Sequence, residues 1–125
     1  MARHLLKDCD AFHVIRFNQR TATERHEAWL TQRDHGVGGS DLSTILGLNK
    51  YATPYTLWLE KTGREQHMDI SGKWAVVKGN ALETALRARF RSLHPEWECY
   101  DGTDKSLVSN THPCMHASLD GILYD

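Results

Sequence analysis

Pro95 divides the sequence. Before it, apolar residues recur at helical spacing; after it, they come in short runs separated by turn residues. A proline cannot continue a helix, so the long regular stretch ahead of it must stop there. That stretch is expected to be helical from near residues 69–71 to about 94, with Leu82, Leu86, Phe90 and Leu93 as its buried stripe. Shorter helices are expected upstream. One covers 25–32, with Trp29 and Leu30 as apolar contacts. A second opens at Ser40 as N-cap, carries Asp41 in its first turn, turns Leu42, Ile45 and Leu46 inward, and ends at Gly47 or Asn49. A third starts at Thr53-Pro54, buries Leu57, Trp58 and Tyr55, and closes at Gly63.

Downstream of Pro95 the expected strands lie in 97–100, 107–109 and 115–119, with Ile122-Leu123-Tyr124 as a returning hairpin strand. Asp101-Gly102 and Asp120-Gly121 are turn-like breaks. The alternating run Phe12-His13-Val14-Ile15-Arg16-Phe17 is either an edge strand or a loosely attached arm. Helices first and a small sheet last make an α+β domain.

The chain has 125 residues, 40% hydrophobic and 25% charged, which suits one soluble globular domain with a modest core. No apolar run reaches membrane-spanning length, and the N-terminus lacks the apolar core of a secretory signal, so a cytoplasmic protein is expected. The net charge of -1 argues against holding nucleic acid by bulk charge alone, although it permits a local basic groove. Cys9, Cys99 and Cys114 are widely spaced and odd in number, as free thiols would be.

Four places carry possible chemistry, and each has two readings. Arg33-Asp34-His35-Gly36-Val37-Gly38-Gly39-Ser40-Asp41 is either a glycine loop before a capped helix or a seat for a phosphate. In the second reading backbone N–H groups, the Ser40 hydroxyl and the Arg33 guanidinium contact the anion. The stretch matches neither the P-loop nor the dinucleotide fingerprint. Glu83 sits at the edge of the expected stripe. It is either the partner of Arg87 at i, i+4, worth only about 0.3 kcal/mol, or a metal ligand. Asp120 is either part of an Asp-Gly hairpin turn or a metal-binding carboxylate at a strand end. His112, Cys114 and His116 would alternate to one face of a strand and suit zinc, but a fourth ligand is lacking; satisfied or exposed side chains are the other reading.

Read together, the pieces form an ordered set. They run Trp29-Leu30-x-x-Arg33, Gly38-Gly39-Ser40-Asp41, Ile45-Leu46-Gly47-Leu48, Thr53-Pro54-Tyr55-x-Leu57-Trp58, Lys61-Thr62-Gly63, Gly79-Asn80-x-Leu82-Glu83 and Ala117-Ser118-Leu119-Asp120-Gly121. This set resembles the YqaJ-like viral recombinase family, phage-type nucleases related to lambda exonuclease in the PD-(D/E)XK superfamily. The resemblance covers about residues 26–125 as the N-terminal part of such a domain and leaves 1–25 as an extension of unknown role.

The resemblance implies a restriction endonuclease-like core with a mixed sheet flanked by helices. It implies that Arg33 and Ser40 hold a 5′-terminal phosphate of DNA. It also implies that Glu83 and Asp120 are catalytic ligands of Mg²⁺ (or Mn²⁺) in the hydrolysis of double-stranded DNA from 5′ ends. Family members often work beside a single-strand annealing protein in phage or prophage-bearing bacterial cells, and some form toroidal trimers. Leu119 stands where the family usually has proline. The acid-x-Lys pair of the family's next strand has no counterpart up to Asp125. The expectation is therefore a core incomplete at the C-terminus, an open sheet edge, weak metal binding and little cleavage by this chain alone. The competing functional expectations are a non-catalytic DNA-binding or interaction module and a small zinc module on His112, Cys114 and His116.

Overall fold

A computed structural model describes residues 6–124; residues 1–5 and Asp125 lie outside the described residues, and with them the question of what Asp125 does. The architecture is α+β, with four helices and two small antiparallel sheets. It divides into two units. One comprises the residues up to Gln66 together with Asp104–Ser118; the other comprises His67–Thr103 and the residues from Leu119 onward.

The first unit is built on a three-stranded sheet. Strand β3, Lys105–Ser109, is central. Strand β1, Phe12–Arg16, pairs along it from Phe12 opposite Ser109 to Arg16 opposite Lys105, so the N-terminal alternating run is an edge strand. Strand β4, His116–Ser118, pairs on the other side, with Ser106 opposite Ser118 and Val108 opposite His116. The short turn between β3 and β4 permits only an antiparallel pair. Phe17 and Val108 are its buried apolar residues, and the Phe17 N–H donates to the Asp104 carbonyl at 2.8 Å.

Helix α1, Ala22–Asp34, starts earlier than the apolar pattern indicated. The cause is a capping box. The Thr21 hydroxyl accepts from the Glu24 N–H at 3.1 Å, and the Glu24 carboxylate accepts from the Thr21 N–H at 3.1 Å. Next come a single 3-10 turn, Gly39–Asp41, and the short helix α2, Leu42–Ile45. Gly47, at φ 71, ends α2. Helix α3, Pro54–Lys61, begins as its Thr-Pro signal requires, with the Thr53 hydroxyl accepting from the Thr56 N–H at 3.2 Å, and Gly63 at φ 70 closes it.

The inward faces expected for α2 and α3 need correction. Leu42, Ile45, Leu46, Tyr55 and Trp58 are exposed, while Asp41 and Thr44 are buried. Polar bonds decide this. Asn49 donates to the Thr44 hydroxyl at 2.8 Å, and Lys61 pairs with Asp41 at 3.2 Å.

In the second unit, helix α4, Trp74–Leu93, starts a few residues later than expected. The Asp69 carboxylate instead accepts from the Ser71 N–H at 2.9 Å, which holds a turn. The helix does end before Pro95. Its expected stripe is only partly right: Phe90 is half-buried, but Leu82, Leu86 and Leu93 are exposed. The half-buried face runs through Val76, Glu83, Arg87, Phe90 and His94.

Strand β2, Glu98–Asp101, pairs antiparallel with β5, Gly121–Tyr124, from Glu98 opposite Tyr124 to Asp101 opposite Gly121. Asp120-Gly121 is therefore not a hairpin turn, because β5 pairs with β2 while β4 pairs with β3. The single mixed sheet of the expected core is corrected too. Both sheets are antiparallel, and parallel pairing among the described residues is confined to the bridge Val37–Met115.

Two glycines in the first unit differ sharply. A Cβ on Gly36 would lie 2.6 Å from the Cys114 carbonyl oxygen and 2.5 Å from His116 Nε2, whereas one on Gly39 meets nothing within 4 Å. Gly36→Ala is expected to cost about 1–3 kcal/mol, because a backbone atom must move. Gly39→Ala is expected to stay within about 0.5 kcal/mol. Urea unfolding of both variants measures this, and equal midpoints would contradict the close approach at Gly36.

Candidate functional site

The glycine stretch builds a pocket within the first unit. After α1 the chain runs close against the β3–β4 turn and β4: the Val37 N–H donates to the Cys114 carbonyl at 2.7 Å, and the His116 N–H donates to the Val37 carbonyl at 2.9 Å. The 3-10 turn follows. Its N-cap is Gly38, whose N–H donates to Asp41 Oδ2 at 3.0 Å. Ser40 is thus inside the turn and is not the N-cap that the sequence suggested. This frees its hydroxyl, which accepts from Arg33 Nη2 at 2.8 Å.

Arg33 lies 4.7 Å above the Trp29 ring, and Trp29 Nε1 donates to the Ser118 hydroxyl at 3.1 Å. Trp29, Arg33, Gly39, Ser40, His116 and Ser118 line the pocket. A guanidinium over an indole, beside hydroxyls and an unobstructed glycine, is suited to a phosphate or carboxylate. Helix α2 has a single turn, so its dipole adds little. An anion here would meet Arg33 and Ser40 and not a helix terminus.

Lys61 was not legible as part of this arrangement. Its Nζ reaches Asp41 Oδ2 at 3.2 Å and donates to the Arg33 carbonyl at 2.6 Å. In sequence it looks like an ordinary cation in the last turn of a helix. Ser118 was missed in a different way, since only the β3–β4 register brings it to Trp29.

Glu83 and Asp120 both belong to the second unit. Glu83 makes the i, i+4 pair with Arg87, at 3.9 Å, and its side chain is half-buried. Arg87 does more than pair. Its Nη1 donates to the Asp120 carbonyl at 3.0 Å, and its Nη2 lies 3.5 Å from Asp101 Oδ2. One largely buried guanidinium therefore relates the helix acid to the residue that precedes β5. Asp101 enters the group through its pairing opposite Gly121.

Glu83 and Asp120 offer oxygen donors of the kind Mg²⁺ and Mn²⁺ take, and Mg²⁺ keeps several waters. Among the described residues, no group of three or more His, Cys, Asp or Glu is gathered around a common point. The two carboxylates fit such an ion in kind, and the tie between their residues runs through Arg87 to the Asp120 main-chain carbonyl. Elsewhere in the unit, a backbone hydrogen bond and then His94 hold the Glu96 carboxyl below its ordinary pKa, and a hydrogen bond to Glu98 raises that of the Tyr100 hydroxyl.

The zinc arrangement loses its premise. His112 and Cys114 lie in the turn between β3 and β4, and only His116 is on the strand, so the three do not alternate on one face. His112 Nδ1 is 3.1 Å from the Thr111 hydroxyl, and His116 Nε2 is 3.1 Å from the Pro113 carbonyl.

The model of the YqaJ-like viral recombinase domain matches residues 28–125. The chain is 60% identical over 64 residues to "Uncharacterized protein YqaJ" of Bacillus subtilis (strain 168), a match covering 51% of this chain and 20% of that protein. It is 40% identical over 47 residues to "Protein D345L" of African swine fever virus (strain Badajoz 1971 Vero-adapted), covering 38% of this chain and 14% of that protein. The chain thus spans a fifth or less of the length of these relatives. No solved structure matches it.

Arg87→Met is expected to cost about 1.5–3 kcal/mol through the lost charge-assisted bond to the Asp120 carbonyl. Arg87→Lys should restore only part of it, because an ammonium lacks the guanidinium fork. Denaturant unfolding reads both, and an Arg87→Met protein as stable as the parent would remove Arg87 as the tie.

Proposed function

The chain belongs to the family of YqaJ-like viral recombinase domains, and from that premise we propose that it is part of a metal-dependent nuclease that hydrolyses duplex DNA from 5′ ends in phage-type recombination. The observation that carries the reading is the 2.8 Å contact of Arg33 with Ser40 in a pocket whose glycine leaves room for an anion.

In this reading the Arg33 fork and the Ser40 hydroxyl turn from one another to the non-bridging oxygens of a 5′-terminal phosphate. The Trp29 ring beneath the guanidinium limits its freedom before binding, so less side-chain entropy is lost when the phosphate arrives. Glu83 and Asp120 would hold Mg²⁺ or Mn²⁺. When bound, such an ion supplies Lewis-acid polarisation of the phosphate and a more acidic water. Arg87 keeps Glu83 and the Asp120 backbone in fixed register. The same reading includes a single-strand annealing protein as partner, a homotrimer as assembly and the cytoplasm of a phage- or prophage-bearing bacterium as setting; these rest on the family resemblance. No helix among the described residues is long and apolar enough to cross a membrane.

A second reading, a DNA-binding or interaction module without catalysis, is favoured by one observation: Arg87 already supplies Glu83 with a cationic partner.

Two experiments test the proposal. Arg33→Gln and Ser40→Ala should each reduce the preference for 5′-phosphorylated over 5′-hydroxyl duplex ends, by about tenfold for Arg33. An unchanged preference removes the phosphate assignment. Glu83→Gln and Asp120→Asn should lower Mg²⁺-dependent hydrolysis by the whole protein at least about a hundredfold while duplex binding persists. Binding without hydrolysis by the unaltered whole protein would favour the module instead.

A further inference from the structure

Lys61 and Asp41 form a largely buried ion pair, with side chains 16% and 10% exposed, that the phosphate reading does not use directly. A buried pair contributes little net stability compared with apolar residues of the same shape, so its presence calls for a geometric explanation. The bonds supply one. Asp41 Oδ2 accepts from Lys61 Nζ at 3.2 Å and from the Gly38 N–H at 3.0 Å, which fixes the turn that carries Ser40. The same ammonium donates to the carbonyl of Arg33 at 2.6 Å, at the negative end of α1. Arg33 Nη2 then closes the circuit on the Ser40 hydroxyl at 2.8 Å.

We propose that Lys61, acting with Asp41, is the positioning residue of the anion pocket: one buried ammonium sets the distance between the backbone of Arg33 and the turn that presents Ser40. The inference rests on the reading of Arg33 and Ser40 as a 5′-phosphate seat and adds to it the residue pair that determines its selectivity. Lys61 touches the phosphate in no step; it acts through the two residues that do. Without it, the Arg33 carbonyl and the Gly38–Asp41 turn lose their common tie, and the fork and hydroxyl no longer converge on one tetrahedral anion.

The test measures binding, so it does not depend on hydrolysis. Fluorescence anisotropy with the protein in EDTA gives Kd values for one duplex bearing a 5′-phosphate or a 5′-hydroxyl. The ratio of the two is the readout, since a merely structural defect weakens both duplexes alike. Lys61→Met should reduce the ratio about tenfold. Because that variant strands a buried carboxylate and can fail to fold, Lys61→Met/Asp41→Asn is made beside it. The double variant removes both charges and keeps an acceptor for the Gly38 N–H. A folded double variant with a collapsed ratio supports the proposal, and one that keeps the parent ratio overturns it. Arg33→Gln separates the two levels. If it collapses the ratio and the double variant does not, the phosphate seat stands and the role of Lys61 fails. If the parent protein shows no preference at all, the seat fails and the role of Lys61 falls with it.

Discussion

The close pass of Gly36 and Val37 over Cys114–His116 is the constraint on which the first unit depends. Two backbone hydrogen bonds of 2.7 and 2.9 Å tie the exit of α1 to the end of the β3–β4 turn and to β4. They form only because residue 36 has no side chain; a methyl group would occupy the place of a carbonyl oxygen. Once the pass is made, the rest follows in order. Val37 is anchored, the next residues must turn, and Asp41 reaches back to the Gly38 N–H. Ser40 is then presented beside the Arg33 side chain that came down α1. The glycines of this stretch therefore do different work. Gly36 permits the close approach inside the protein, while Gly39 leaves the space at the pocket open.

Much of the secondary structure was legible because its signals are local. Thr53-Pro54 starts a helix, Gly47 and Gly63 end two others in left-handed conformation, and Pro95 follows the end of the long one. The start of α1 was legible too, in Thr21-Ala22-Thr23-Glu24, but an apolar pattern is a poor guide to a helix with few apolar residues. The inward faces were not legible. Periodicity made Leu82, Leu86 and Leu93 part of a buried stripe, whereas it is Arg87 and Arg91 that reach the strand region. Both guanidiniums donate to carbonyls, those of Asp120 at 3.0 Å and Cys99 at 2.7 Å. A carbonyl at the margin of a two-stranded sheet needs a donor, and a long arginine on a nearby helix supplies one while covering apolar surface with its stem. Sequence patterns rank residues by apolarity and do not register that requirement.

The candidate site divides along the same line. Arg33 with Ser40 was readable from spacing, since seven residues of helix end and turn bring them together. Glu83 with Arg87 was readable as an i, i+4 pair. The contacts that organise these pairs were not, because Lys61, Ser118 and Asp101 arrive through tertiary pairing. Nor was the partner of β5. An Asp-Gly dipeptide before a short apolar run ordinarily signals a hairpin, yet Asp101 and Tyr100 provide the opposing edge and β4 does not.

The apolar core is thin, and this explains why polar ties carry so much of the geometry. Among the described residues, Phe17, Cys99 and Val108 are the buried hydrophobic side chains. Three such residues cannot fix the orientation of five helical and turn segments by packing, since apolar contact is non-directional. Hydrogen bonds to charged groups are directional, and each strengthens where water is scarce. Lys61 between Asp41 and the Arg33 carbonyl, and Arg87 between Glu83, Asp101 and the Asp120 carbonyl, are the same kind of device: a cationic side chain that joins carboxylate to main-chain oxygen. Such a tie specifies position: against apolar residues of the same shape it contributes little net stability, yet removing one member leaves the other uncompensated, so the geometry is held by the pair and not by either residue alone.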